Sequence, residues 1–360
     1  MNKILPKSAA ILILALLIFP IISVQAQNET DILAGTGSAG MQDGVYASFN
    51  APRGIVVLPG GEVLVADSRN NLLRLISNEG DTTTYAGTVF GVTSFSRHRD
   101  DVLNVAALHR PMGLARHEHG WIFVADSANN SIRVIIGSRI YTLAGWGEPG
   151  FSDGAWGYSA FNNPSAVAVG PCGNVFVADT LNHVIRMVTL NGYTTTIAGT
   201  PTRYGYQNGD ALNTLFDSPS GIAVDASGRI FVADTGNHVI RVIENGEVRT
   251  LAGSPMLYQY NGESLFLGGF ADGQGSLAQF NHPMGINLWG AYLVVADSAN
   301  HSIRLLTHEG EVTTLAGGAI SEDAGFLGLS FPVGVYAHGD RLYVADSGSN
   351  TIRALMLGDR

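Results

Sequence analysis

Six aspartates, each followed seven positions later by an arginine, are the residues of this 360-residue chain whose types and spacing most readily suggest chemistry. The pairs are Asp67 and Arg74, Asp126 and Arg133, Asp179 and Arg186, Asp234 and Arg241, Asp297 and Arg304, and Asp346 and Arg353. A carboxylate and a guanidinium held together can grip an oxyanion, position a proton acceptor or brace a turn. His183, His238 and His301 recur at one place inside the same string, where an imidazole can ligate a metal or move a proton. A single active site needs one or two such residues, whereas the Asp and Arg recur in every copy. The expected role of the pairs is therefore a hairpin brace, repeated six times.

The elements that position them follow from the string around each pair. Val177-Ala178-Asp179-Thr180-Leu181-Asn182-His183-Val184-Ile185-Arg186 has five counterparts, and their aspartates lie 59, 53, 55, 63 and 49 residues apart. Within one copy, Pro219-Ser220-Gly221 leads into a short apolar strand, and Ile230-Phe231-Val232-Ala233-Asp234 forms a second. A loop and a third strand follow, and Asn245-Gly246 carries a hairpin signal before a fourth strand ending Thr250-Leu251-Ala252-Gly253. Four strands per repeat at this period predict an all-β chain, a six-bladed β-propeller occupying residues 27–360. The last copy lacks its fourth strand, and Ile32-Leu33-Ala34-Gly35 supplies a match at the other end. The N-terminal strand is therefore expected to complete the C-terminal blade and close the ring, which removes exposed edges. The loop asparagines Asn70, Asn129, Asn182, Asn237 and Asn300, with Ser349 in the last copy, are expected to bond local backbone or take left-handed dihedrals.

At Asn182-His183-Val184 and Asn237-His238-Val239 the chain resembles the NHL repeat family, and the resemblance extends over all six copies. It implies a propeller and a wide range of roles: sensor, adhesion and scaffold modules, RNA binders and one enzyme class. That class, the peptidyl-hydroxyglycine lyases, takes a zinc-ligating His from the position of His183, His238 and His301. Its other ligands are histidines directly after the Pro of an innermost strand. Here those positions hold Arg53, Met112, Ser165, Ser220, Met284 and Val333, so the three-His site does not carry over, and no metal site is assigned.

Lys3 and Lys7 ahead of an apolar stretch at residues 9–19, with Val24-Gln25-Ala26 after it, read as a signal peptide of residues 1–26 and a secreted, extracytoplasmic product with no membrane span after cleavage. Cleavage would remove both lysines, taking the formal charge from −10 to −12. An acidic chain without lysine disfavours nucleic acid and rules out a lysine nucleophile. The lone Cys172 lies in a turn and forms no intrachain disulfide. Gly35-Thr36-Gly37-Ser38-Ala39-Gly40 matches a dinucleotide pattern, but no helix follows it. His117-Glu118-His119 reads as a solvated turn.

Three long connections share one predicted face. Residues 88–110 carry Phe90, residues 201–217 carry Tyr204 and Tyr206, and residues 254–282 carry Tyr258 and Tyr260. Aromatics on loops over a rigid scaffold suit ligand or partner contact. These five, with Arg53, His183, His238 and His301, form the expected binding set. The expected function is a monomeric, non-enzymatic binding, scaffold or sensor module for a protein, peptide or glycan, with no cofactor. The alternative is a metal-dependent lyase or lactone hydrolase at the channel mouth, and only that reading brings in zinc or calcium.

Overall fold

The computed structural model describes residues 30–88, 98–260, 263–318 and 328–357. Six small antiparallel sheets form the blades of a closed ring. Blade 1 contains Pro52–Val57, Val63–Asp67, Leu72–Ile76 and Thr82–Ala86, and the other five repeat this order. Alternating side chains on each twisted strand face the two neighbouring blades, so the apolar core is divided among the seams. One cluster joins Val56, Leu64 and Leu73 of blade 1 to Leu114, Val124 and Ile135 of blade 2. Another joins Ile55, Val63 and Val65 of blade 1 to Tyr343, Ala345 and Ile352 of blade 6.

Ring closure follows the expected route. Asp31–Ala34 pairs antiparallel with Thr351–Met356, matching Asp31 to Ala354 and Ala34 to Ile352. Three blades gain a two-residue outer strand, Asp101–Val102, Gly209–Asp210 and Gly273–Gln274, because the incoming connection first runs down the blade's outer edge. The connection after blade 4 also carries a two-stranded hairpin, Met256–Tyr260 with Glu263–Leu267.

The Pro-x-Gly string that opens the innermost strands has a steric cause. Those strands crowd together around the axis, and a methyl at Gly54, Gly221, Gly285 or Gly334 would lie 2.2, 1.9, 2.2 or 1.9 Å from a carbonyl oxygen of a neighbouring blade. Blade 3 alone has Ala166 at this place.

Candidate functional site

The Asp–Arg pairs are buried braces that extend beyond the hairpin. Arg241 Nη1 donates to Asp234 Oδ2 at 2.7 Å with both side chains fully buried. Asp234 Oδ2 also accepts from Asn237, and its Oδ1 accepts the Asp217 backbone N–H at 2.8 Å. The guanidinium continues outward to the Leu215 and Gln207 carbonyls and the Asn208 side chain. Each brace thus ties the hairpin to the connection entering its own blade. A second acidic residue joins in four blades: Asp43 on Arg74, Asp100 on Arg133, Asp153 on Arg186 and Asp272 on Arg304. Its other oxygen accepts a fourth-strand N–H, from Thr84, Thr142, Thr196 and Thr314 respectively. Sequence reasoning missed these residues, although they recur 31–33 positions before the Arg. In blade 6, Arg353 reaches Asp346 through Nε and the N-terminal Thr30 through Nη1.

Burial pushes the Asp179 and Asp234 carboxyls up to about 6, against the opposing pull of Arg186 and Arg241 and of hydrogen bonds. Asp67, Asp126, Asp297 and Asp346 are raised by the same cause.

The loop histidines are interblade acceptors. Each loop is a single 3-10 turn whose next residue is left-handed: Asn71, Asn130, His183, His238 or His301, with φ between 47° and 60°. Asn350 takes the equivalent place at φ 53°. The preceding asparagines, expected to bond local backbone or take left-handed dihedrals, leave those dihedrals to the next residue. They aim their carboxamides at the brace carboxylate, as Asn182 does at 2.8 Å, and at a backbone carbonyl of the incoming connection, Gly150 for Asn182. His183 Nδ1 accepts the Ser218 N–H, His238 Nδ1 the His282 N–H, and His301 Nδ1 the Phe331 N–H, each at 3.0 Å. Asn71, Asn130 and Asn350 do the same through Oδ1 for Arg110, Asn163 and Ala51. A ring nitrogen that accepts must be unprotonated. Burial lowers the pKa of His183, and burial followed by the neighbouring His282 brings His238 to about 4.

The innermost strands enclose a central cavity of about 210 Å³. At its loop-side mouth, Arg53, Met112, Ser165, Ser220, Met284 and Val333 occupy equivalent positions. At the other end Arg116 bonds the Tyr336 hydroxyl. Among the described residues, no group of three or more His, Cys, Asp or Glu side chains has the arrangement of a metal site.

The aromatic candidates separate. Tyr204 is 72% exposed and leans on the His183 ring at 5.7 Å. Tyr206 packs over the Arg241 guanidinium at 5.1 Å, opposite Phe216, and its hydroxyl meets Thr250 Oγ1 at 2.7 Å. Phe151 and Phe161 enclose Arg186 in the same way, and Phe270 and Phe280 enclose Arg304. Tyr258 and Tyr260 lie on the strand Met256–Tyr260. Phe90 and the signal segment lie outside the described residues. Trp146 and Leu181, which sequence reasoning did not select, are exposed on the same face as Tyr204.

Fold and braces together define a six-bladed β-propeller. A family model described as NHL repeat matches residues 49–74 and 216–243, the brace-bearing parts of blades 1 and 4. The chain is an NHL-repeat β-propeller. It is 27% identical over 339 residues to human (Homo sapiens) NHL repeat-containing protein 2, covering 82% of this chain and 44% of that protein. The chain spans less than half the length of the curated relatives it matches. Two solved structures share the fold. An auxiliary nutrient binding protein from Bacteroides thetaiotaomicron has a TM-score of 0.64 at 14% identity, covering 91% of this chain and 75% of that one. Virginiamycin B lyase from Staphylococcus aureus has a TM-score of 0.53 at 16% identity, covering 88% and 98%.

Proposed function

We propose that this propeller is an exported binding module that captures a protein, peptide or glycan on the face bearing the 3-10 loops and long connections, acting by binding rather than catalysis. The observation that carries this reading is a division of labour among the polar and aromatic groups. The recurrent Asp and the loop His direct their acceptor atoms into bonds within the fold. On the same face, Trp146 and Tyr204 are 60% and 72% exposed. Rigid, amphipathic rings over a fixed scaffold give contact area at low conformational cost. The acidic surface disfavours nucleic acid as the partner.

Peptide and glycan arrays probed with wild type, with the double variant Trp146→Ala/Tyr204→Ala and with His119→Ala on the opposite face test the reading. Capture should survive His119→Ala and fall in the double variant. Loss in His119→Ala with full retention in the double variant would move the site to the other face.

A further inference from the structure

The chain is acidic overall, yet one seam of the channel mouth is basic. Arg53, directly after Pro52, is the single charged residue among the six at that channel position. It lines the cavity, and its Nη1 is enclosed without a hydrogen-bond partner. Arg69, on the 3-10 loop of blade 1, and Arg110, just ahead of Pro111 in blade 2, are exposed. Both lie close enough to repel the Arg53 charge.

Contacts made by these residues or their chain neighbours across the blade 1–blade 2 boundary bring the three onto one seam. The Arg110 N–H donates to Asn71 Oδ1 at 2.8 Å, the Ser68 hydroxyl donates to the Pro111 carbonyl, and the Gly54 backbone abuts the Met112 carbonyl. Arg53, Arg69 and Arg110 make no ion pair among the described residues. Asp67, which opens the same loop, is already committed to the Asn50 N–H, Asn70 and Arg74.

Burial, then Arg110 and Arg69, bring Arg53 down to about 10, so it remains charged at neutral pH and the repulsion persists. An enclosed guanidinium donor without a partner destabilises a fold unless an anion completes it. We propose that the blade 1–blade 2 seam of the channel mouth is an oxyanion site, where Arg53, Arg69 and Arg110 clamp a carboxylate or phosphate group of a small ligand. Guanidinium forks match both groups bidentately. The cavity beneath, with Met112, Met284 and Val333 at its rim, accepts an apolar remainder of that ligand. The proposal deepens the binding-module reading and rests on it only for the choice of face.

Calorimetric titration and thermal melts with citrate and with inorganic phosphate, against sodium chloride at matched ionic strength, test it on the full protein. Arg53→Met is the main variant, because blades 2 and 5 already carry Met at this position. Arg110→Gln is a second, exposed variant, and Arg249→Gln on an outer strand is the control. Wild type and Arg249→Gln should bind at least one of the two anions, and each of the other variants should bind about tenfold more weakly or worse. A response to citrate alone assigns a carboxylate ligand, and one to phosphate alone a phosphate ligand. In anion-free buffer Arg53→Met should melt no lower than wild type, since it removes an unpartnered charge. Wild type that responds to neither anion beyond sodium chloride, or variants that respond as wild type does, would overturn the site. Full retention of array capture in Trp146→Ala/Tyr204→Ala would bear on the face of macromolecular capture alone and leave this titration independent.

Discussion

Replacing His238 by Asn should remove a specific acid sensitivity while preserving the acceptor contact that Nδ1 makes with the His282 N–H. His238 sits at φ 58° and accepts the His282 N–H through Nδ1, and Asn71, Asn130 and Asn350 already perform this task at comparable dihedrals. Asparagine tolerates the left-handed region and offers a carbonyl acceptor that does not titrate. With the folded-state pKa near 4 and an unfolded value near 6.5, the unfolded chain binds a proton between those limits that the native ring does not. Stability is therefore lost as pH falls from about 6.5 towards 4, and the gap corresponds to about 3 kcal/mol. The edge-on His282 ring, 4.5 Å away, shares part of this cost, since a charge on either imidazole opposes the other. The Asp179 and Asp234 carboxyls act in the opposite sense, because a native pKa of about 6 lets the folded state take up protons first. They are common to both proteins and cancel in the difference. Urea unfolding at pH 7 should place wild type and His238→Asn within about 1 kcal/mol of each other. At pH 4.5 the variant should lead by about 2–3 kcal/mol. A stability difference that is the same at both pH values would refute the acceptor role.

Two further substitutions test the frame. Asp234→Ala leaves the fully buried Arg241 without its carboxylate and should cost about 3–5 kcal/mol in urea unfolding, while Asp234→Ala/Arg241→Met should recover part of that loss. No recovery would mean that packing, and not the orphaned charge, sets the cost. Gly221→Ala places a methyl 1.9 Å from the Met284 carbonyl and should cost about 2–3 kcal/mol, whereas Ala166→Gly in blade 3 should be nearly neutral. Equal effects at the two positions would contradict strand crowding at the axis.

The ring was legible in the sequence because the same polar string marks the end of the second strand and the start of the third in every blade, which fixes the register of each sheet. Closure was legible for the same reason, since Ile32-Leu33-Ala34-Gly35 repeats a fourth strand that no blade precedes. The role of the histidines was harder to read, because a residue type suggests ligation while a dihedral angle and a neighbouring N–H decide otherwise. The signal was nonetheless present. Asn71, Asn130 and Asn350 occupy the position of His183, His238 and His301, and what Asn and His share is an acceptor atom and tolerance of positive φ. Tyr206 likewise reads as a loop aromatic until its spacing is compared: it precedes Arg241 by 35 residues, as Phe151 precedes Arg186.

Six-fold repetition also indicates where specificity must be sought. Every contact that recurs in all blades serves the ring, because removing one copy weakens a seam without creating or abolishing a unique surface. Binding specificity requires features that break the repetition. Three such features lie on the loop face: Arg53 where the other blades have neutral side chains, Trp146 exposed beyond blade 2, and the hairpin Met256–Tyr260 with Glu263–Leu267 in a single connection. Regular braces leave these departures free to vary, since the Arg and Asp networks hold each blade whatever its connection carries. The anion titration and the array experiment are aimed at this irregular set for that reason.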